Sequence, residues 1–207
     1  MIAMRARILR GACLAVLLLP ACVTQPTSVT VLDADQQSAL LRELPEFTLE
    51  GRVAVRAGDE GWQASVRWRQ RGDVSEVRLS GPFGAGALQL RFEADVLTLT
   101  TSRGDKLSGE EAAGTLRQQL GFDPPIAELR HWLLAEPAPQ DAVTKLEAGA
   151  NGRPAMLEQQ DWQLAFEDYR EQRMQRSRVQ MPRRIIATRD AVRLRLVVDR
   201  WKLGKGR

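Results

Sequence analysis

The sequence predicts a mostly β protein, an antiparallel sheet of about eleven strands that curls or closes around its apolar face, with a pair of amphipathic helices set against the concavity. Three observations predict it. From Phe47 to Trp201, apolar residues recur mainly with period two, the pattern of strands with one buried face. The runs are joined by short turns, Gly58-Asp59-Glu60-Gly61 among them, whereas parallel neighbours need crossovers of about a dozen residues or more. One stretch, Ser108 to Glu136, changes to helical periodicity. A sheet of that size curls or closes, and the helices are placed to fill or cover its apolar concavity.

The first 21 residues lie outside this fold. Arg5, Arg7 and Arg10 precede a short apolar run, Ala12 to Leu19, too short to span a bilayer and typical of a signal peptide. Leu19-Pro20-Ala21-Cys22 resembles the lipobox of bacterial lipoproteins. It implies cleavage before Cys22, with diacylglycerol on the thiol and an acyl group on the amine. Val23, rather than Asp, after the cysteine implies export to the outer membrane. Residues 22–32 read as the lipidated N-terminus and tether, and 33–207 as one domain. Cys13 lies in the cleaved part and Cys22 is acylated, so thiol catalysis, disulfides and cysteine metal sites are excluded.

Asp33 to Leu44 reads as a helix with an aspartate cap, ended by Pro45. Strands follow. Phe47, Leu49, Gly51, Val53, Val55 and Ala57 alternate with polar or small residues, and so do Trp62, Ala64, Val66 and Trp68. Val74 to Ser80 makes the third. Gly81-Pro82-Phe83-Gly84-Ala85-Gly86 is a turn whose Phe83 is either folded into the core or held outward for a lipid or partner. Leu88, Leu90 and Phe92 resume the alternation, followed by Val96 to Thr101 and a short Lys106-Leu107. Ser108 and Glu111 have capping-box spacing ahead of a helix bearing Ala112, Leu116 and Leu120 and closed by Gly121. Asp123 reads as the cap of a second helix, with Pro124 and Pro125 in its first turn and Ile126, Leu129, Trp132 and Leu133 as its stripe. Ala142 to Glu147, Pro154 to Gln160, Trp162 to Tyr169, Arg183 to Thr188 and Val192 to Trp201 read as strands. Arg170 to Arg178 reads as a basic loop.

Composition removes most chemistry. The chain has one histidine, His131, beside an apolar helix stripe and without an evident ligand partner. The glycines of 81–86 are not a phosphate loop, because no Lys-Ser/Thr follows and the next element alternates as a strand. No serine sits in a nucleophile elbow and no metal-ligand cluster is evident. An enzyme is not expected. Residues 22–169 carry 14 Lys/Arg against 23 Asp/Glu, whereas 170–207 carry 13 against 3. On an exported lipoprotein, this asymmetry suits neutralisation within the domain or a lipid surface, not nucleic acid.

Three motifs resemble one family in order along the chain. Gly81-Pro82-Phe83-Gly84 followed by Ala87-Leu88-Gln89-Leu90 is similar to the Asn-Pro-Leu-Gly turn and next strand of the LolB family of outer-membrane lipoprotein receptors. Pro124-Pro125-Ile126 through Leu129-Arg130-His131-Trp132-Leu133-Leu134 resembles that family's second cavity helix. Met181-Pro182 with the strand into Asp199-Arg200-Trp201 resembles its C-terminal end. The resemblance implies a half-open, incomplete barrel with a helical lid over a hydrophobic cavity, which receives lipoproteins from the periplasmic carrier LolA, shields their acyl chains and inserts them into the outer membrane without covalent chemistry. Phe83, flanked by Pro82 and Gly84, takes the place of the family's protruding leucine, which favours an exposed, membrane-directed tip. The acyl-chain cavity is expected among Val53, Val55, Trp68, Leu88, Leu90, Phe92, Leu116, Leu120, Trp132 and Leu133. No cofactor is expected beyond the acyl groups on Cys22. The expected partners are LolA, lipoprotein cargo and outer-membrane lipids, with the chain a monomer at the periplasmic face. A scaffolding lipoprotein with a solid core is the alternative.

Overall fold

The computed structural model describes residues 30–81 and 86–204. The expected signal peptide and most of the tether, with Cys22, and the turn residues Pro82, Phe83 and Gly84 lie outside them. The chain enters through β1 (Thr30–Val31) and α1 (Ala34–Arg42). A first meander follows in β2 (Glu46–Ala57), β3 (Glu60–Arg71), β4 (Val74–Ser80), β5 (Ala87–Glu93), β6 (Val96–Thr100) and β7 (Lys106–Ser108). Helices α2 (Gly109–Leu120) and α3 (Ile126–Trp132) lead to a second meander: β8 (Val143–Ala148), β9 (Pro154–Gln159), β10 (Trp162–Met174), β11 (Ser177–Arg189) and β12 (Val192–Leu203).

The two meanders are joined by their innermost strands. The sheet order is β7-β6-β5-β4-β3-β2-β12-β11-β10-β9-β8, antiparallel along this path, with β1 added in parallel to β11. The edges are β7 and β8, which do not pair with each other among the described residues, so the barrel stays open. The chain leaves one edge at Ser108 and re-enters at the other at Val143, and the two helices bridge that interval.

Alternation sets the register. In β2, Phe47, Leu49, Val53 and Val55 are buried and Arg52, Ala54 and Arg56 exposed. Gly51 faces the irregularity in β12 between Val198 and Arg200, where a Cβ would collide with the Val197 carbonyl. That irregularity lets both Val198 and Trp201 turn inward. Helix α1 has a reciprocal cap: the Gln36 amide donates to Asp33 Oδ1 (2.8 Å) and the Asp33 amide to Gln36 Oε1 (3.3 Å).

Four local expectations are corrected. Arg170 to Arg178 is no loop but the end of a long hairpin, with Arg170 opposite Met181 and Arg173 opposite Arg178. Its Met174, Val179 and Met181 are buried beneath the basic residues. Thr30-Val31, assigned to the tether, pairs with Ser177 and Arg178 of this hairpin. Ser108 makes no side-chain cap bond, because Gly109, at φ +60°, leaves helical geometry at the first position and redirects the chain. Asp123 does not cap α3: the prolines precede the helix, and Asp123 lies 3.4 Å from Arg117.

Candidate functional site

Cross-strand rows put apolar side chains from distant strands side by side. Leu194 of β12 faces Val55 of β2, which faces Trp62 of β3. A second row runs through Leu49, Trp68, Val77 and Leu90. With Val53, Val66, Leu79 and Leu196 they form the wall of a cavity roofed by Leu120, Phe122, Pro124, Ile126, Leu129 and Leu133 of the lid. Among the described residues no charged side chain lines it. The cavity has a volume of about 90 Å³. That is room for a few waters, with little to hydrogen-bond them.

The lid is held by unlike contacts along its length. At the α3 end, the fully buried Gln159 forms a four-bond hub. It accepts from Trp132 Nε1 (2.8 Å) and the Ala138 amide (2.9 Å), and donates to the carbonyls of Ala138 and Asp141 (both 2.8 Å). Trp132 stacks obliquely near Trp162, with ring centres 6.4 Å apart. At the α2–α3 corner the polar bonds are long. Trp62 Nε1 donates to the Leu120 carbonyl at 3.3 Å, and Arg189 donates to the Asp123 carbonyl at 3.4 Å. The same guanidinium lies 4.6 Å above the Trp162 ring, and Phe122 meets that ring edge-on.

Of the ten residues expected to face acyl chains, Val53, Val55, Trp68, Leu90, Leu120 and Leu133 line this cavity. Four lie elsewhere. Trp132 is turned away into the Gln159 hub, and Leu116 is buried within α2, which packs on β6 and β7. Phe92 sits opposite Ser75 at the far end of its ladder, and Leu88 is only partly buried beside Leu79. Trp62, Leu194 and Leu196 were absent from the expected lining although their alternation marks the inward face. Phe122 and Pro124 carry no such mark, because they lie between helices.

Charged groups near the lid are structural in geometry. Glu136 is buried and accepts from Ser38 Oγ (2.7 Å) while pairing with Arg42 (3.2 Å), which ties α1 to the segment after α3. Burial raises its pKa, and the Ser38 and Arg42 contacts oppose that rise. Arg130 Nε donates to His131 Nε2 (3.1 Å) and its other arm pairs with Asp73 (2.8 Å). Burial and the neighbouring guanidinium lower the His131 pKa, against a weaker pull from Asp73. Among the described residues no three His, Cys, Asp or Glu side chains gather as metal ligands, and no helix is long and apolar enough to cross a membrane.

Comparison with known proteins is concordant along most of the chain. A solved structure of a LolA superfamily protein from Nitrosomonas europaea aligns with a TM-score of 0.51 at 13% identity, covering 84% of this chain and 94% of that one. At that identity the likeness concerns the fold. The outer-membrane lipoprotein LolB of Alkalilimnicola ehrlichii is 34% identical over 192 residues, covering 92% of this chain and 94% of the relative. The LolB of Azoarcus sp. is 32% identical over 193 residues, covering 93% of each. The family model described as outer membrane lipoprotein LolB matches residues 45–201, the span that contains the cavity wall and its roof, and on this agreement the chain belongs to the LolB family.

Proposed function

We propose that this chain is the receiving station of lipoprotein localisation at the outer membrane: it takes lipoproteins from LolA, shelters their acyl chains and releases them into the bilayer. The observation that carries this reading is the cavity between sheet and lid, which among the described residues is walled by apolar side chains alone. Each CH₂ removed from water is worth ~0.8 kcal/mol, so a multi-chain anchor travels only between shielded sites. The handover needs no covalent step. It needs a cavity whose hold exceeds the donor's and falls short of the membrane's.

The cavity as it stands admits only a few waters. Acyl chains therefore enter by displacing the lid from the wall. The side chains of Leu120, Phe122, Ile126, Leu129 and Leu133 then exchange contacts with the sheet for contacts with lipid, one apolar partner for another. The anchor on Cys22 and a membrane-directed Phe83 give the same protein its place at the periplasmic face of the outer membrane. An aromatic at the tip of a turn is tolerated at a bilayer surface and lowers the barrier for release.

The test follows cargo. The mature protein is mixed with LolA carrying a lipoprotein, and the distribution of cargo is measured before and after vesicles are added. Leu129→Asp sets a carboxylate against the cavity and is expected to reduce acceptance by about tenfold or more. Phe83→Glu is expected to leave acceptance intact and impair delivery to vesicles. Unimpaired acceptance by the first variant would favour a solid-cored scaffold, and normal delivery by the second would remove the tip from the mechanism.

A further inference from the structure

The outer face of the sheet carries arginines from end to end, and over most of it they are neutralised. Arg52 pairs with Asp199, Arg67 with Glu50, Arg71 and Arg91 with Glu76, and Arg184 with Glu167. Arg78, in mid-sheet opposite Arg67, has no ion pair among the described residues, and at one end three such arginines come together. Arg56 of β2 stands directly opposite Arg193 of β12, and Arg195 follows on the same face. None of the three has an ion-pair partner among the described residues, although Asp59 and Asp190 lie in the adjoining turns and Glu60 begins β3. Like charges placed directly opposite one another are unfavourable, and among the described residues no ion pair offsets them. The arginines border two shallow hollows that share a floor of Ala54 and Gln63, whose side chains leave the guanidinium groups accessible from outside.

The register fixes where this end lies. Ser80, the last residue of β4, pairs with Ser65, and Ser65 pairs with Arg52. β4 is therefore directed toward the level of Ala54–Arg195 and then Arg56–Arg193. The strands flanking turn 82–85 thus end at the same end of the sheet as the three arginines. That is also the end at which Val55, Trp62 and Leu194 complete the cavity wall.

We infer that Arg56, Arg193 and Arg195 form a docking surface for the phosphates of anionic lipid headgroups, holding the cavity end against the membrane. The inference rests on the reading that turn 82–85 faces the bilayer. Guanidinium groups bind phosphate in a fork geometry and are less strongly hydrated than ammonium groups. An anionic surface supplies the counter-charge that the sheet withholds, and attraction to it adds to the anchorage at the N-terminus.

The mature, anchored protein is reconstituted into vesicles of phosphatidylcholine with or without phosphatidylglycerol, and phenylglyoxal modification is followed for each arginine by mass spectrometry. Arg56, Arg193 and Arg195 are expected to react several-fold more slowly on the anionic vesicles, with the ion-paired Arg71 and Arg91 unchanged. The difference should disappear in about 1 M salt, where the screening length is ~3 Å. Equal rates on both vesicles would overturn the inference. So would equal protection by inorganic phosphate on neutral vesicles, which would mean an adventitious ion only, or protection that requires an added acidic protein. The variant R56Q/R193Q/R195Q should accept cargo from LolA normally and lose the stimulation of delivery by phosphatidylglycerol. Delivery equally stimulated in that variant would also overturn it. Failure of acceptance by the unmodified protein would instead count against the receptor reading.

Discussion

The α3 end of the lid and its α2–α3 corner are fastened by different chemistry. At the α3 end, Gln159 satisfies four polar partners at 2.8–2.9 Å in a fully buried setting. At the α2–α3 corner, two bonds of 3.3 and 3.4 Å accompany the apolar undersides of Leu120 and Phe122. Buried hydrogen bonds are costly to break because both partners are left without water. Apolar contacts are interchangeable with lipid. A lid meant to admit acyl chains should hinge where its bonds are polar and buried, and open where they are greasy and long. The molecule has that arrangement.

Breaking the firm end should have the largest effect. Gln159→Leu strands Trp132 Nε1, the Ala138 amide and two carbonyls, and is expected to cost ~4 kcal/mol of stability, read as a shift in the urea midpoint. A loss below ~1 kcal/mol would mean that water replaces the hub and that the end is not a hinge. Loosening the corner should do far less. Trp62→Phe removes the bond to Leu120 and is expected to change global stability by ~1 kcal/mol or less. Amide exchange in the last turn of α2 should nevertheless accelerate several-fold, with the Ala138 amide unaffected. Equal acceleration at both positions would erase the distinction between hinge and opening.

The smallest effect concerns acid. His131 accepts from Arg130 through Nε2, which requires the neutral ring. Its pKa in the fold is lowered from 6.5, so the unfolded chain binds this proton more readily. The histidine's contribution is thus complete above pH 6.5 and is lost as pH falls through its lower, folded value. His131→Gln should flatten the stability–pH curve in that window, by less than ~1 kcal/mol for a half-exposed group. The curve is measured by urea titration at a series of pH values. An unchanged slope would mean that the loss comes from carboxylates elsewhere.

Much of the wall was legible in the sequence, because period-two alternation survives wherever a strand has one wet face. Val53, Val55, Trp68 and Leu90 announce themselves that way. Alternation fails as a guide where the geometry changes phase. In β10 the inward run of Trp162, Leu164 and Phe166 is interrupted at Asp168, whose φ is +54°, and burial next becomes complete at Met174. With arginines on the outward positions, the segment looked like a loop. The buried glutamines were invisible for another reason. Gln37 exchanges two hydrogen bonds with the backbone of Gln180, and Gln159 binds Ala138 and Asp141. A side chain that serves main-chain groups distant in sequence leaves no local pattern. The shift of Trp132 from cavity to hub belongs to the same class, since its stripe is shared by the two faces of a short helix.

The joining of β2 to β12 has a consequence for how the molecule is made. The first long strand of the sheet finds its second neighbour only in the last. Each meander can zip from contacts close in sequence, but the seam between them closes a loop of nearly the whole domain, the slow kind of contact. Until β12 has emerged, β2 presents an unpaired edge of twelve residues, a template for pairing with other chains. Its outward Arg52 and Arg56 put charge along that edge during the wait. A chain cut short before Val192 keeps the exposed edge for good.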